Sequence, residues 1–197
     1  MSNTVTLPVY ELRAFEKLSH IKDKNDYLDT TMSNCLFVRV KGLHFEVFYV
    51  SKYFLAHHFF LACEETAESR HYVLDMRKLK AYMKGHAPSS LVELDLDLLE
   101  NTSVNQNYLS GLDLDSFTVA KNAALYGACD SQLFNATYLA GVTTFLDGCK
   151  PDKPVEWFYP KDRLTPLCAH IPGYDFKLDK DKVCYGELTA VLMPCRY

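Results

Sequence analysis

The sequence contains no uninterrupted apolar run near the ~18 residues that a membrane span needs. Its opening, MSNTVTLPVYELRAF, lacks a basic start, an apolar stretch and a small-residue cleavage site; no secretion signal is expected, and a cytoplasmic location is. The seven cysteines (Cys35, Cys63, Cys129, Cys149, Cys168, Cys184 and Cys195) are odd in number and include no C-x-x-C pair. That spacing suits neither a disulfide scaffold nor a zinc site, so most are expected to be reduced, semi-buried small apolar residues. P-loop, dinucleotide and serine-nucleophile fingerprints are missing as well. No enzyme activity, cofactor or metal is therefore expected. No repeat of solenoid length is apparent either.

What is present is an ordinary globular composition. Of 197 residues, 48% are apolar and 23% charged, with 21 Lys+Arg against 25 Asp+Glu for a formal net charge of -4. Such a mix excludes a disordered chain. The length corresponds to one large domain or two small ones.

Leu7 to Ile21 is predicted as a helix, with Pro8 in its first turn and Leu12, Phe15, Leu18 and Ile21 on one side. Arg13, Lys17, Lys22 and Lys24 lie off that stripe or just beyond it. Two β-rich runs follow, Tyr27 to Val40 and Leu43 to Val50, with Lys41-Gly42 between them as a hairpin turn. A third, aromatic run spans Phe54 to Cys63 and is bounded by the polar residues Glu64 to Ser69. A second helix is predicted from Leu74 or Asp75 to Lys84, stopping at Gly85. Met76, Leu79 and Met83 form its buried side, and Arg77, Lys78, Lys80 and Lys84 make the rest basic. Leu91 to Leu98 alternates as a half-buried strand.

Glu100 to Ser116 is polar and turn-rich, a candidate interdomain connection, and Phe117 to Tyr126 is ambiguous. A third helix opens at Phe134-Asn135-Ala136-Thr137-Tyr138-Leu139 and ends near Asp147-Gly148, with Tyr138, Val142 and Phe145 on one side. Strands are predicted at Val155 to Tyr159, Leu164 to His170 and Leu188 to Met193, with a charged loop from Tyr174 to Lys182 between the last two.

This order of elements resembles a specific family. TLPVYELRAFEKL, NDYLDTTMSNCLFVRVKG, FEVFYVSKYFLA, YVLDMRKLKAYMK and VELDL together resemble the middle domain of the bacterial DNA-polymerase sliding clamp. Farther on, Phe134-Asn135-Ala136-Thr137-Tyr138-Leu139 is similar to the F-N-x-x-Y-L start of that family's last-domain helix. The ending Val191-Leu192-Met193-Pro194-Cys195-Arg196-Tyr197 looks like its terminal V-M-P-M-R strand. The resemblance covers about four-fifths of the chain. Three features depart from the family: the chain holds about two domains instead of three, Phe117 to Leu133 leave no space for the second domain's usual opening helix and three strands, and Lys52 stands where the family usually has Gly.

The resemblance implies an α+β, DNA-clamp-like fold, helices packed on curved antiparallel sheets, with residues 1–112 as one clamp-like domain and 113–197 as a shortened second. It implies a processivity factor that encircles duplex DNA without reading sequence and assembles as a homo-oligomer, a trimer by analogy with six-domain rings. Phosphate contact falls to Arg13, Lys17, Lys22, Arg77, Lys78, Lys80 and Lys84. A pocket for short peptides of a polymerase or other replication proteins falls to Leu55, Val191, Leu192, Met193, Pro194 and Arg196.

Plainer readings stand beside these. The cations could simply solvate outer helix faces, and the last strand could be an ordinary buried one. Asp95 with Asp97, and Asp113 with Asp115, are better explained as solvated strand positions than as a divalent-ion site. His57 and His58 should point to opposite sides of a strand, poor geometry for joint metal binding. Trp157, Phe158 and Tyr159 are expected to fill a small core rather than stack on bases. Two rivals to the clamp remain: a monomeric or dimeric clamp mimic that regulates or inhibits replication proteins, and a thiol enzyme using Cys168 with His170, which share one face of a strand.

Overall fold

The computed structural model describes residues 3–21, 32–51, 54–101, 134–158, 166–179 and 182–194. Val5 and Leu7 alternate with polar neighbours and form strand β1 (Thr4–Pro8), which pairs antiparallel with β4 (Leu91–Asp95) in a two-stranded ribbon. Leu7 thus belongs to this strand and not to the predicted helix, because Val92 lies across from it. Helix α1 (Val9–Leu18) starts only after Pro8. Its N-terminus has no side-chain cap; instead Val9 N and Tyr10 N donate to the carbonyls of Ser90 and Pro88, both at 2.9 Å. Backbone from the segment before β4 therefore satisfies amides that a helix start leaves open.

Strand β2 (Cys35–Val50) runs unbroken through Lys41-Gly42. The predicted hairpin there is a register irregularity in one long strand, and Gly42 absorbs it with a φ of +60°. A residue with no Cβ adopts that conformation at little cost. Its partner β3 (Phe54–Asp75) likewise continues through the polar stretch expected to end it. Helix α2 (Met76–Met83) follows at once, capped by Asp75, whose carboxylate accepts from Arg77 N at 2.7 Å and Lys78 N at 3.4 Å. The predicted strand through Leu98 ends at Asp95, which caps a short helical turn, α3 (Leu96–Leu99).

Asn135 caps α4 (Ala136–Gly148). Three strands complete the described chain: β5 (Glu156–Phe158), β6 (Leu167–Asp179) and β7 (Lys182–Leu192). Most of the charged loop expected from Tyr174 to Lys182 is instead strand, since β6 and β7 extend toward each other as a hairpin. The expected connection from Glu100 to Ser116, the ambiguous run after it, the division at residue 112 and the pair Asp113 and Asp115 fall largely or wholly outside the described residues.

The second sheet is antiparallel throughout, in the order β2-β3-β7-β6-β5. One face carries Leu36, Val38, Phe45, Val47, Ala56, Ala169, Ile171, Leu188, Ala190 and Leu192, and α1 and α4 pack over it in a shared core. Within that core Phe15 and Phe145 meet at 4.9 Å between ring centres. Such a ring pair contributes ~0.5–1.5 kcal/mol beyond its burial. Glycines let the two helices approach closely: a Cβ at Gly141 would run into Ile21, and one at Gly148 would lie 2.8 Å from the Ala14 Cβ. Among the described residues no helix is long and apolar enough to cross a membrane.

Candidate functional site

The cationic residues lie on α1 and α2. The solvent side of α1 presents Arg13, Glu16 and Lys17, with His20 just past its end, and that of α2 presents Arg77 and Lys80, with Lys84 just past its end. Most of these groups are engaged with their own chain. Arg13 Nη2 donates to the His86 carbonyl at 3.0 Å, and Arg77 Nε lies 3.7 Å from Asp75. Lys78 Nζ donates to the carbonyls of Leu98 at 3.3 Å and Glu100 at 3.0 Å, at the end of α3 where backbone acceptors are open. Lys80 Nζ reaches across to Glu16 Oε1 at 2.7 Å and ties the two helices. Lys17 and Lys84 are exposed, while Lys22 lies outside the described residues.

Helix α4 is different. Its sequence, ATYLAGVTTFLDG, holds no Lys or Arg. Between the end of α1 and the start of α4 lies an open groove of about 570 Å³, lined by Leu18, Ile21, Ala136, Ala140 and Gly141, with Lys17 and two threonines at its rim.

Across the sheet lie the residues expected to form a peptide pocket. Leu55 on β3 pairs directly with Val191 on β7, and the same row runs through Val50 on β2 and Cys168 and Phe158 on β6 and β5. Directly opposed residues share a face, so this is an apolar band on the side away from the helices. Leu192 alternates to the other side and is buried in the core, 1% exposed, apart from Leu55 and Val191. Met193, beyond the strand, is exposed at 40%, and Pro194 is half-buried. Arg196 lies outside the described residues.

Two residues along each strand, a second row on the same face crosses all five strands: Phe48, His57, Thr189, His170 and Glu156. His57 stacks on Phe48 at 4.6 Å with 7° between planes, and Arg39 sits over the Phe48 ring while pairing with Glu46. Burial, then the charges of Arg39 and His170, push the His57 imidazole down to about 3. His170 hydrogen-bonds Thr189 at 3.0 Å. Cys168 and His170 do share a face, but the thiol is fully buried, which removes the access a nucleophile requires. Among the described residues no cluster of His, Cys, Asp or Glu is arranged to hold a metal. Asp95 and Asp97 serve as a cap and as an ion pair with Arg70 at 3.2 Å. Trp157 is half-buried and packs against the core.

On the helix side, His58 is buried and in contact with Glu11 of α1, and its Nε2 hydrogen-bonds the Tyr174 hydroxyl at 2.9 Å. Burial pushes His58 down to about 3. A neutral imidazole has one nitrogen that donates and one that accepts, so a carboxyl on one side and a phenol on the other match it. In sequence alone an acid at position 11 looks like a solvent-facing residue, yet Glu11 is buried. Its partner among the described residues is His58, far away in sequence. His57 and His58 do point to opposite faces, as the strand alternation predicts.

A helix pair over one face of an antiparallel sheet, with a two-stranded ribbon beside it, gives this chain an α+β fold of the DNA-clamp type. The solved structures of similar fold include β subunits of DNA polymerase III. The subunit from Pseudomonas aeruginosa matches with a TM-score of 0.57 at 12% identity, covering 100% of this chain and 67% of the other. Those from Thermotoga maritima (0.54, 11%, covering 98% and 65%) and Eubacterium rectale (0.53, 10%, covering 100% and 67%) agree. This chain thus spans about two thirds of the length of these proteins, and at such identities the likeness concerns the fold. No family model and no curated protein matches the sequence.

Proposed function

We propose that the chain is a clamp-type processivity factor, a binding protein rather than an enzyme, that assembles as a homo-oligomer around duplex DNA and docks replication proteins. The observation that carries this reading is the clamp fold itself, matched over the whole chain. The arrangement of charge and apolar surface supports it. Arg13, Lys17, Arg77, Lys78 and Lys80 lie on α1 and α2 and Lys84 just past α2, while Leu55, Val191 and Met193 lie on or beside the opposite sheet face. A duplex and a client peptide would then occupy different sides of the molecule. Residues 1–112 and 113–197 would form a full and a shortened clamp-like unit.

Retention on circular DNA tests this. Protein loaded on a nicked circle should survive high salt and be lost after linearisation, because a topological link does not depend on phosphate attraction. Equal loss from both forms refutes encirclement.

The second reading, a monomeric or dimeric mimic, is favoured by the lack of cations on α4 and by the engagement of Lys78 and Lys80 with acceptors of their own chain. A solution mass of 22.5 kDa, that of one chain, would select it over a ring.

A further inference from the structure

Glu16 is the one acidic residue on the solvent side of α1 or α2; Glu11 is buried and α2 has none. Its Oε1 takes two donors at once, Lys80 Nζ at 2.7 Å and His20 Nε2 at 2.9 Å. The donors are open to solvent, with 60% and 64% of their side chains exposed, whereas the carboxylate lies beneath them at 16%. An anion arriving from outside would therefore meet Lys80 and His20 on their free side.

We propose that Lys80 and His20 form an anion seat that Glu16 occupies in the free protein and that a duplex phosphate takes over on binding. Glu16 is then an internal counter-ion that weakens DNA contact at the α1–α2 seam. The assignment rests on the clamp reading, since it takes the helix layer as the DNA-facing side. Burial alone would raise the Glu16 carboxyl, yet the hydrogen bonds from Lys80 and His20 outweigh it and leave it lowered. The seat thus favours an anion over a neutral occupant. The Glu16 carboxylate neutralises the ammonium it holds, so Lys80 contributes its full charge to a phosphate contact only after Glu16 has released it.

The test is a fluorescence titration of a linear duplex oligonucleotide with the whole chain, over a range of salt. Glu16→Gln and Glu16→Ala should each tighten binding by about eightfold at 0.1 M salt and steepen the slope of log K against log salt by about 0.9, the signature of one added phosphate contact. Thermal melts identify which substitution keeps the fold. Lys80→Met placed on either background should erase the gain. A gain that survives without Lys80 comes from net charge alone and overturns the assignment. Wild-type binding that neither substitution tightens also overturns it, and leaves the clamp reading standing. Absence of salt-dependent duplex binding in the wild type and in both variants overturns the assignment, while retention on nicked circles decides the clamp reading separately.

Discussion

Replacing Gly148 with alanine sets two physical effects against each other. Alanine favours the helical state over glycine by ~0.8–1 kcal/mol in a helix interior, and by less at a last residue. Packing opposes it. The new Cβ would stand 2.8 Å from the Ala14 Cβ and 3.5 Å from its Cα, and neither atom can swing away as a long side chain could. Forcing a methyl into a filled contact costs ~1–3 kcal/mol. The expected net effect is a loss of about 1–2 kcal/mol. In urea, with a slope of ~2 kcal/mol/M, that moves the unfolding midpoint down by about 0.5–1 M. Ala14→Gly should rescue part of the loss, and a double-mutant cycle should give a coupling of at least about 1 kcal/mol. If Gly148→Ala raises the midpoint, helix propensity has won and the close α1–α4 contact is not a constraint.

Tyr174→Phe removes the hydroxyl that His58 Nε2 bonds inside the core, at an expected cost of ~1–3 kcal/mol; a melting temperature equal to wild type would show the bond to be dispensable. The Glu16–Lys80 contact should make stability depend on pH. The Glu16 carboxyl is lowered in the folded state, so its contribution is fully present above the ordinary carboxylate range and is lost as pH falls through the lowered value. The wild-type minus Glu16→Gln difference in urea midpoint, followed from neutral pH downward, should shrink; a constant difference would refute the linkage.

Helices were legible wherever a cap and a stop flank an apolar stripe. Asp75 and Gly85 bracket α2, and Asn135 opens α4. Strand continuity was less legible. Lys41-Gly42 between two β runs fits a hairpin and a bulge equally well in local terms, and the choice is made by β3, which continues opposite both halves of β2. Leu7 is similar: its pairing with Val92, not its own helix preference, places it in a strand. The cations of the candidate interface were visible in the sequence, but what they touch was not. Lys80 on Glu16 and Lys78 on the α3 carbonyls join residues separated by other elements. For the pocket, strict alternation separates Leu192 from Val191, although the two are neighbours in a terminal motif that the family resemblance treats as one unit.

The pairing of Phe54 with Leu192 has a consequence for synthesis. A ribosome delivers β3 long before it delivers β7, so the nascent chain must carry an aromatic-rich strand whose second edge has no mate. Late, distant zippering of this kind is slow, and an unmated edge invites pairing with other nascent chains. Yield in a cell should therefore depend on translation speed and on holdase chaperones more than the stability of the finished molecule would suggest.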